Sequence, residues 1–104
     1  MLARVERFTE PALLLLLREQ PTHGYDLLER LPELTGESRV EMGNVYRLLR
    51  ALEEEGLVGS EWSDGKRTYA VTDRGRQLLD QWVEALRTSQ ERTQRFIDRY
   101  EEGR

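Results

Sequence analysis

Cysteine is absent from this 104-residue chain and histidine occurs once, which excludes disulfides, thiolate metal sites, thiol catalysis and multi-histidine metal centres. No metal is expected. The longest apolar run, Ala12 to Leu17, falls far short of the roughly 20 residues that span a bilayer, and of a signal peptide's core with its cleavage site. The chain is therefore expected in the cytoplasm with no membrane partner, where a reducing environment suits the lack of cysteine. There is no nucleophile paired with a base, no phosphate-binding glycine loop and no ligand set, so neither an enzyme nor a cofactor is expected.

What is present is a mixture of 38% hydrophobic and 35% charged residues. A chain of this length holds one domain with a modest core, so association is an expected way of hiding more apolar surface. The formal net charge is −4, but it is unevenly spread. Residues 39–50 carry +2, from Arg39, Arg47 and Arg50 against Glu41, and residues 66–76 carry +3, from Lys66, Arg67, Arg74 and Arg76 against Asp73. Between them lie Glu53, Glu54, Glu55, Glu61 and Asp64 with no base. Screening confines each charge to about 10 Å at moderate salt, so a concentrated positive face can act independently of an acidic total.

Thr9-Glu10-Pro11 suits the first turn of a helix that continues through the leucine run to Glu19 and ends at Gln20-Pro21. A second helix is expected after Thr22 as N-cap, carrying Tyr25, Leu27, Leu28 and Leu31 until Pro32 and Gly36 break it, with a polar loop from Pro32 to Val40. A third runs from about Glu41 to Glu55 and stops at Gly56. Helical spacing places Val45, Leu48, Leu49 and Leu52 on one face, whereas Gly43, Arg47, Arg50 and Glu54 project from the other, flanked by Asn44 and Tyr46. Leu57 to Trp62 and Lys66 to Val71 alternate as strands around Ser63-Asp64-Gly65, a tight-hairpin signal. Thr72 then caps a last helix reaching about Glu101, roughly 43 Å long and too long for the compact domain alone. The predicted fold is mainly α with a small β-hairpin. It reads as a winged helix-turn-helix unit over residues 1–75, followed by a long C-terminal dimerisation helix over residues 76–104.

Three segments carry a further signal: His23-Gly24-Tyr25-Asp26-Leu27, the run from Gly43-Asn44-Val45-Tyr46-Arg47 to Gly56-Leu57-Val58, and Arg67-Thr68-Tyr69-Ala70-Val71-Thr72-Asp73-Arg74-Gly75. Together, in this order and spacing, they resemble the PadR family across nearly the whole chain. The resemblance implies a bacterial-type winged-helix transcriptional regulator, dimeric through its last helix, of the short branch with a single C-terminal helix. The chain departs from the family at Asn44-Val45, where Thr-Leu is commoner, and in its brief wing; both bear on operator preference.

A helix fits the major groove with its N-terminal half at the base edges, while arginines elsewhere anchor phosphates, and the third helix has that layout. Gly43 removes bulk at the entry point, Asn44 is placed to bond an adenine edge or a phosphate, and Arg47 and Arg50 lie one turn apart on the outward face. Tyr46 either offers its hydroxyl to a phosphate or seals a core edge. Lys66 and Arg67, at the hairpin, reach a neighbouring minor groove or its phosphates. Double-stranded DNA is the expected partner. Arg74, Arg76 and the run Glu53-Glu54-Glu55 read as solvated surface, His23 as a residue that helps start the second helix, and Trp62 as structural.

Leu79, Trp82, Leu86, Ser89, Thr93, Phe96 and Tyr100 repeat at spacings of three and four, and Val83 and Ile97 widen the stripe. A lone helix cannot shelter them, so a homodimer is expected in which a partner helix, or the first helix of the second subunit, covers the stripe, with Leu79, Trp82, Val83, Leu86, Thr93, Phe96 and Tyr100 at its interface. A two-fold axis then presents the paired third helices to half-sites about 34 Å apart, which predicts a palindromic operator. Trp82 has two readings: plain interface core, or a stacking face for a small hydrophobic or aromatic effector, since the resemblance implies a cavity at the dimer interface. The expected function is a dimeric repressor released when an effector alters the angle between its reading helices. The alternative, favoured by the net acidity, is a winged-helix module that docks another protein and does not read DNA.

Overall fold

The computed structural model describes residues 8–36 and 40–103. Among the described residues, four helices and a three-stranded antiparallel sheet follow in the order α1 Thr9–Glu19, β1 Thr22–His23, α2 Gly24–Thr35, α3 Met42–Glu54, β2 Val58–Ser63, β3 Lys66–Val71 and α4 Asp73–Glu102. Part of the expected polar loop, residues 37–39 with Arg39, lies outside the described residues. Among the described residues no helix is long and apolar enough to cross a membrane, and no cluster of carboxylates and histidine is placed to hold a metal ion.

A helix that is apolar all round has to be central. Ala12, Leu13, Leu14, Leu16 and Leu17 are all buried, and α1 accordingly packs on α2, β3 and α4. Leu27 and Leu31 from α2, Val45, Leu49 and Leu52 from α3, and Val58, Tyr69 and Val71 from the hairpin close the same core. Truncating a fully buried leucine here, such as Leu13, Leu27 or Leu49, costs about 2–5 kcal/mol. The face of α3 that the spacing assigned to the core is the buried one, which leaves Arg47 and Arg50 outward.

Two features depart from the sequence reading. The short strand β1 adds to β3 through Thr22↔Tyr69 and His23↔Thr68, giving the sheet order β1-β3-β2. Two residues carry no alternation to read, and their partners lie far along the chain. Helix α2, for its part, does not stop at Pro32 but continues to Thr35. The proline ring removes one helical N–H, a cost of up to about 3 kcal/mol. Burial of Leu31 offsets it, and Thr35 Oγ1 donates to the Leu31 carbonyl at 3.2 Å while the Gly36 N–H closes on the Pro32 carbonyl at 3.0 Å.

The helix start also sits one residue later than expected: His23 Nδ1, not Thr22, accepts the Asp26 N–H at 3.3 Å. Thr22 Oγ1 instead donates to the Asp26 carboxylate at 2.9 Å. At the hairpin, Asp64 and Gly65 hold φ of 51° and 75°, the left-handed pair of a two-residue turn. That turn sets the register Ser63↔Lys66, Trp62↔Arg67, Ser60↔Tyr69 and Val58↔Val71. Thr72 Oγ1 caps α4 by accepting the Gly75 N–H at 3.0 Å and donates to the Gly56 carbonyl at 2.7 Å, tying the end of α3 to the start of α4. The wing is thereby hung between two helices that share the core.

Candidate nucleic-acid interface

Because Val45, Leu49 and Leu52 turn α3 inward, its opposite side is open: Gly43, Asn44, Tyr46, Arg47 and Arg50 are all exposed. Among the described residues nothing outside its own helix backbone and chain neighbours lies within 4 Å of where a side chain on Gly43 would stand, so this position borders open space. Among the described residues Arg47, Arg50 and Lys66 form no ion pair. Their charge is available to an outside anion.

Tyr46 is partly packed and partly open. Its ring packs where a side chain on Gly24 would have to go, yet it remains 38% exposed and faces a groove between α3 and the wing. The groove holds about 810 Å³, with Tyr46, Arg50 and Glu53 on the α3 side and Trp62, Lys66 and Arg67 on the wing. Tyr69 lies in the same groove, where burial pushes its phenol above the usual 10.0 and Arg67 pulls it back, so it stays a neutral hydroxyl at pH 7. Lys66 and Arg67, from the hairpin, and Arg50, from α3, thus converge on one surface. Asn44 and Arg47, further toward the start of α3, are exposed but do not line the groove.

Arg67 is not a loose cation. Its guanidinium sits 5.3 Å from the centroid of the Trp62 ring, donates to Ser60 Oγ at 3.2 Å and pairs with Glu53 at 3.7 Å. Ser60 Oγ in turn donates to Glu53 Oε2 at 2.6 Å. Glu53, read from the sequence as solvated, therefore bridges α3 to the wing, while Glu54 and Glu55 are exposed. Trp62, read as structural, is 68% exposed. The pairing of Trp62 with Arg67 was legible in principle, since the Asp64-Gly65 turn places the two opposite each other. What the sequence could not reveal is that α3 would end beside that face.

The residues assigned to a partner split in two. Leu79 is 3% exposed and belongs to the chain's own core, so it is not part of a partner-facing surface; heptad spacing groups it with the stripe, but α1 covers it. Trp82 and Leu86 are half-buried, and with Val83 they line an apolar pocket of about 300 Å³ against Pro11, Leu15 and Leu34. Beyond the domain, Thr93 is exposed, as are Phe96, Ile97 and Tyr100, with Phe96 at 75%. The chain's longest dimension is 59 Å, against 28 Å and 20 Å across, because α4 outruns the body that its first turns help to build.

Residues 13–81 match the family model described as the transcriptional regulator PadR-like family. No curated protein matches the chain. Among solved structures, a PadR family transcriptional regulator from Eggerthella lenta is 27% identical, with a TM-score of 0.81 over 92% of this chain and 87% of that one. Bacillus subtilis PadR in complex with operator DNA is 30% identical, with a TM-score of 0.63 over 71% of this chain and 46% of that one. A PadR family regulator from Clostridium difficile, at 18% identity, shares the fold with a TM-score of 0.79 over 86% of this chain and 98% of that one.

Proposed function

The chain belongs to the PadR-like family of transcriptional regulators, and we propose that it is a dimeric repressor that blocks a promoter by binding a palindromic operator. One observation carries this reading: Arg50 of α3 and Lys66 and Arg67 of the wing border a single exposed groove, with Arg47 one turn before Arg50 on the same open side of α3. A major-groove helix and a flanking minor-groove wing need that convergence. The Bacillus subtilis relative was solved in complex with operator DNA, which supports duplex DNA as the partner. In this reading Gly43, Asn44, Tyr46, Arg47 and Arg50 meet the major groove, and Lys66 and Arg67 meet phosphates beside it.

Residues 1–75 are the reading unit and residues 76–104 the pairing arm. Phe96, Tyr100 and their neighbours on α4 are covered by the same helix of a second copy, with Val83, Leu86 and Thr93 nearer the domain. A two-fold dimer sets the reading helices about 34 Å apart, one turn of duplex. The apolar pocket beside Trp82 is the proposed place for a small hydrophobic or aromatic effector, which releases the operator only if it binds the free and DNA-bound arrangements unequally. Such a protein works where the chromosome is, in the cytoplasm.

The test is duplex binding titrated with salt. Tight binding that weakens steeply as salt rises, with a slope of about −0.9 per phosphate contacted, is expected. Affinity that is micromolar or weaker at low salt and flat with salt would sink the reading in favour of a protein-docking module.

A further inference from the structure

The inner face of the wing is one continuous row. The register sets Val58 against Val71, Ser60 against Tyr69 and Trp62 against Arg67, and the two-residue period of strands puts all six side chains on the same face. At one end Val58, Val71 and Tyr69 are buried; at the other, Trp62 is 68% exposed. A single exposed apolar residue needs no explanation in itself. This one is held in place: Arg67 lies over its ring, and Glu53 and Ser60 hold Arg67. It also shares its groove with Arg50 and Lys66.

We propose that Trp62 is a direct DNA contact, packing its indole on the sugar wall of the minor groove next to the major groove taken by α3; this rests on the DNA-reading proposal above. Charge selects the occupant. Arg67 lies over the indole, Arg50 and Lys66 line the same groove, and the one carboxylate among its lining residues, Glu53, is already engaged by Arg67 and Ser60. Apolar side chains flanked by cations are suited to the minor groove, whose floor offers acceptors to the indole N–H. The Glu53, Ser60 and Arg67 contacts orient the ring before DNA arrives, which reduces the entropy lost on binding.

Trp62 and Trp82 are the chain's two tryptophans, so fluorotryptophan labelling gives two fluorine NMR resonances, assigned by Trp62→Phe. A mixed-sequence duplex at low salt is the probe. The expected result is that the Trp62 resonance shifts and loses its solvent isotope effect when duplex is added. Trp62→Ala should weaken binding about tenfold and leave its salt slope unchanged, whereas Arg67→Ala should flatten the slope by about 0.9. Duplex binding with an unmoved Trp62 resonance overturns this inference and leaves the DNA reading intact. A slope that flattens in Trp62→Ala as much as in Arg67→Ala overturns it too, because the indole would then act only by holding Arg67. Protection of Trp62 that grows with protein concentration without DNA assigns the face to self-association and also overturns it. Absence of duplex binding removes the DNA reading and this inference with it.

Discussion

Tyr46 fills the space that a side chain at Gly24 would need: its Cε1, Cζ and hydroxyl each lie 2.6 Å from where a Cβ on Gly24 would stand. The contact pins the first turn of α2 to the exposed side of α3, so the two helices of the motif meet at a residue that also borders the groove. Gly24 is thus tied to the proposed site without facing it.

Replacing Gly24 by alanine should separate function from stability. The added methyl group forces Tyr46 aside, but the displaced atoms are the far end of a half-exposed ring that can swing outward. The melting temperature should therefore stay within about 4 °C of wild type, while duplex affinity falls several-fold because Tyr46 now intrudes on the groove. A large loss of stability, not rescued when Tyr46→Ala is added, would show that the strain falls on the backbone.

Arg47→Ala combined with Arg50→Ala should abolish operator binding. Both side chains are exposed and neither forms an ion pair among the described residues, so circular dichroism and the oligomeric state should not change. Wild-type affinity in this double variant would remove α3 from the DNA surface.

Phe96→Ala with Ile97→Ala should loosen the dimer and spare the domain. Neither residue is in the core, and Phe96 is 75% exposed within the chain, so a partner's cover is what the change removes. Losing a buried phenylalanine costs about 1.5–3 kcal/mol, or at least tenfold in the dimer dissociation constant measured by sedimentation. An unchanged dimer would place the interface elsewhere on α4.

Glu10, in the first turn of α1, has its carboxyl raised above the usual 4.5, chiefly by burial and secondarily by the nearby charge of Glu55. A carboxyl with a higher pKa folded than unfolded binds its proton more tightly in the native state, so the native state loses ground as pH rises through 4.5 and just above. Glu10→Gln does not titrate. Its melting temperature relative to wild type should therefore rise across that window and level off above it. A pH-independent difference between the two would show that Glu10 is not desolvated.

Much of the architecture follows from short-range rules. The 3.6-residue period of Val45, Leu49 and Leu52 leaves one way to turn α3, and that alone puts Arg47 and Arg50 outward. Asp64-Gly65 sets the hairpin register, and Thr72 marks the start of α4. Each of these depends on neighbours a few residues away. Pro32 shows the limit: a strong local breaker was overruled because Leu31, beside it, is held by the core.

Sequence alone determined the order of the four helices and the hairpin, the turn and the side of α3 that carries its charge, since backbone geometry and period act over a turn or two of chain; the two-residue β1 was not among them. Tertiary packing decided the rest. Leu79 and Phe96 lie on one heptad stripe, yet the first is sealed against α1 and the second has left the domain behind. Spacing says which side chains share a face; what meets that face depends on where distant segments stop. Glu53 gained Arg67 and Trp62 became part of a groove for the same reason: α3 happens to end within ion-pair reach of a strand folded back from beyond it.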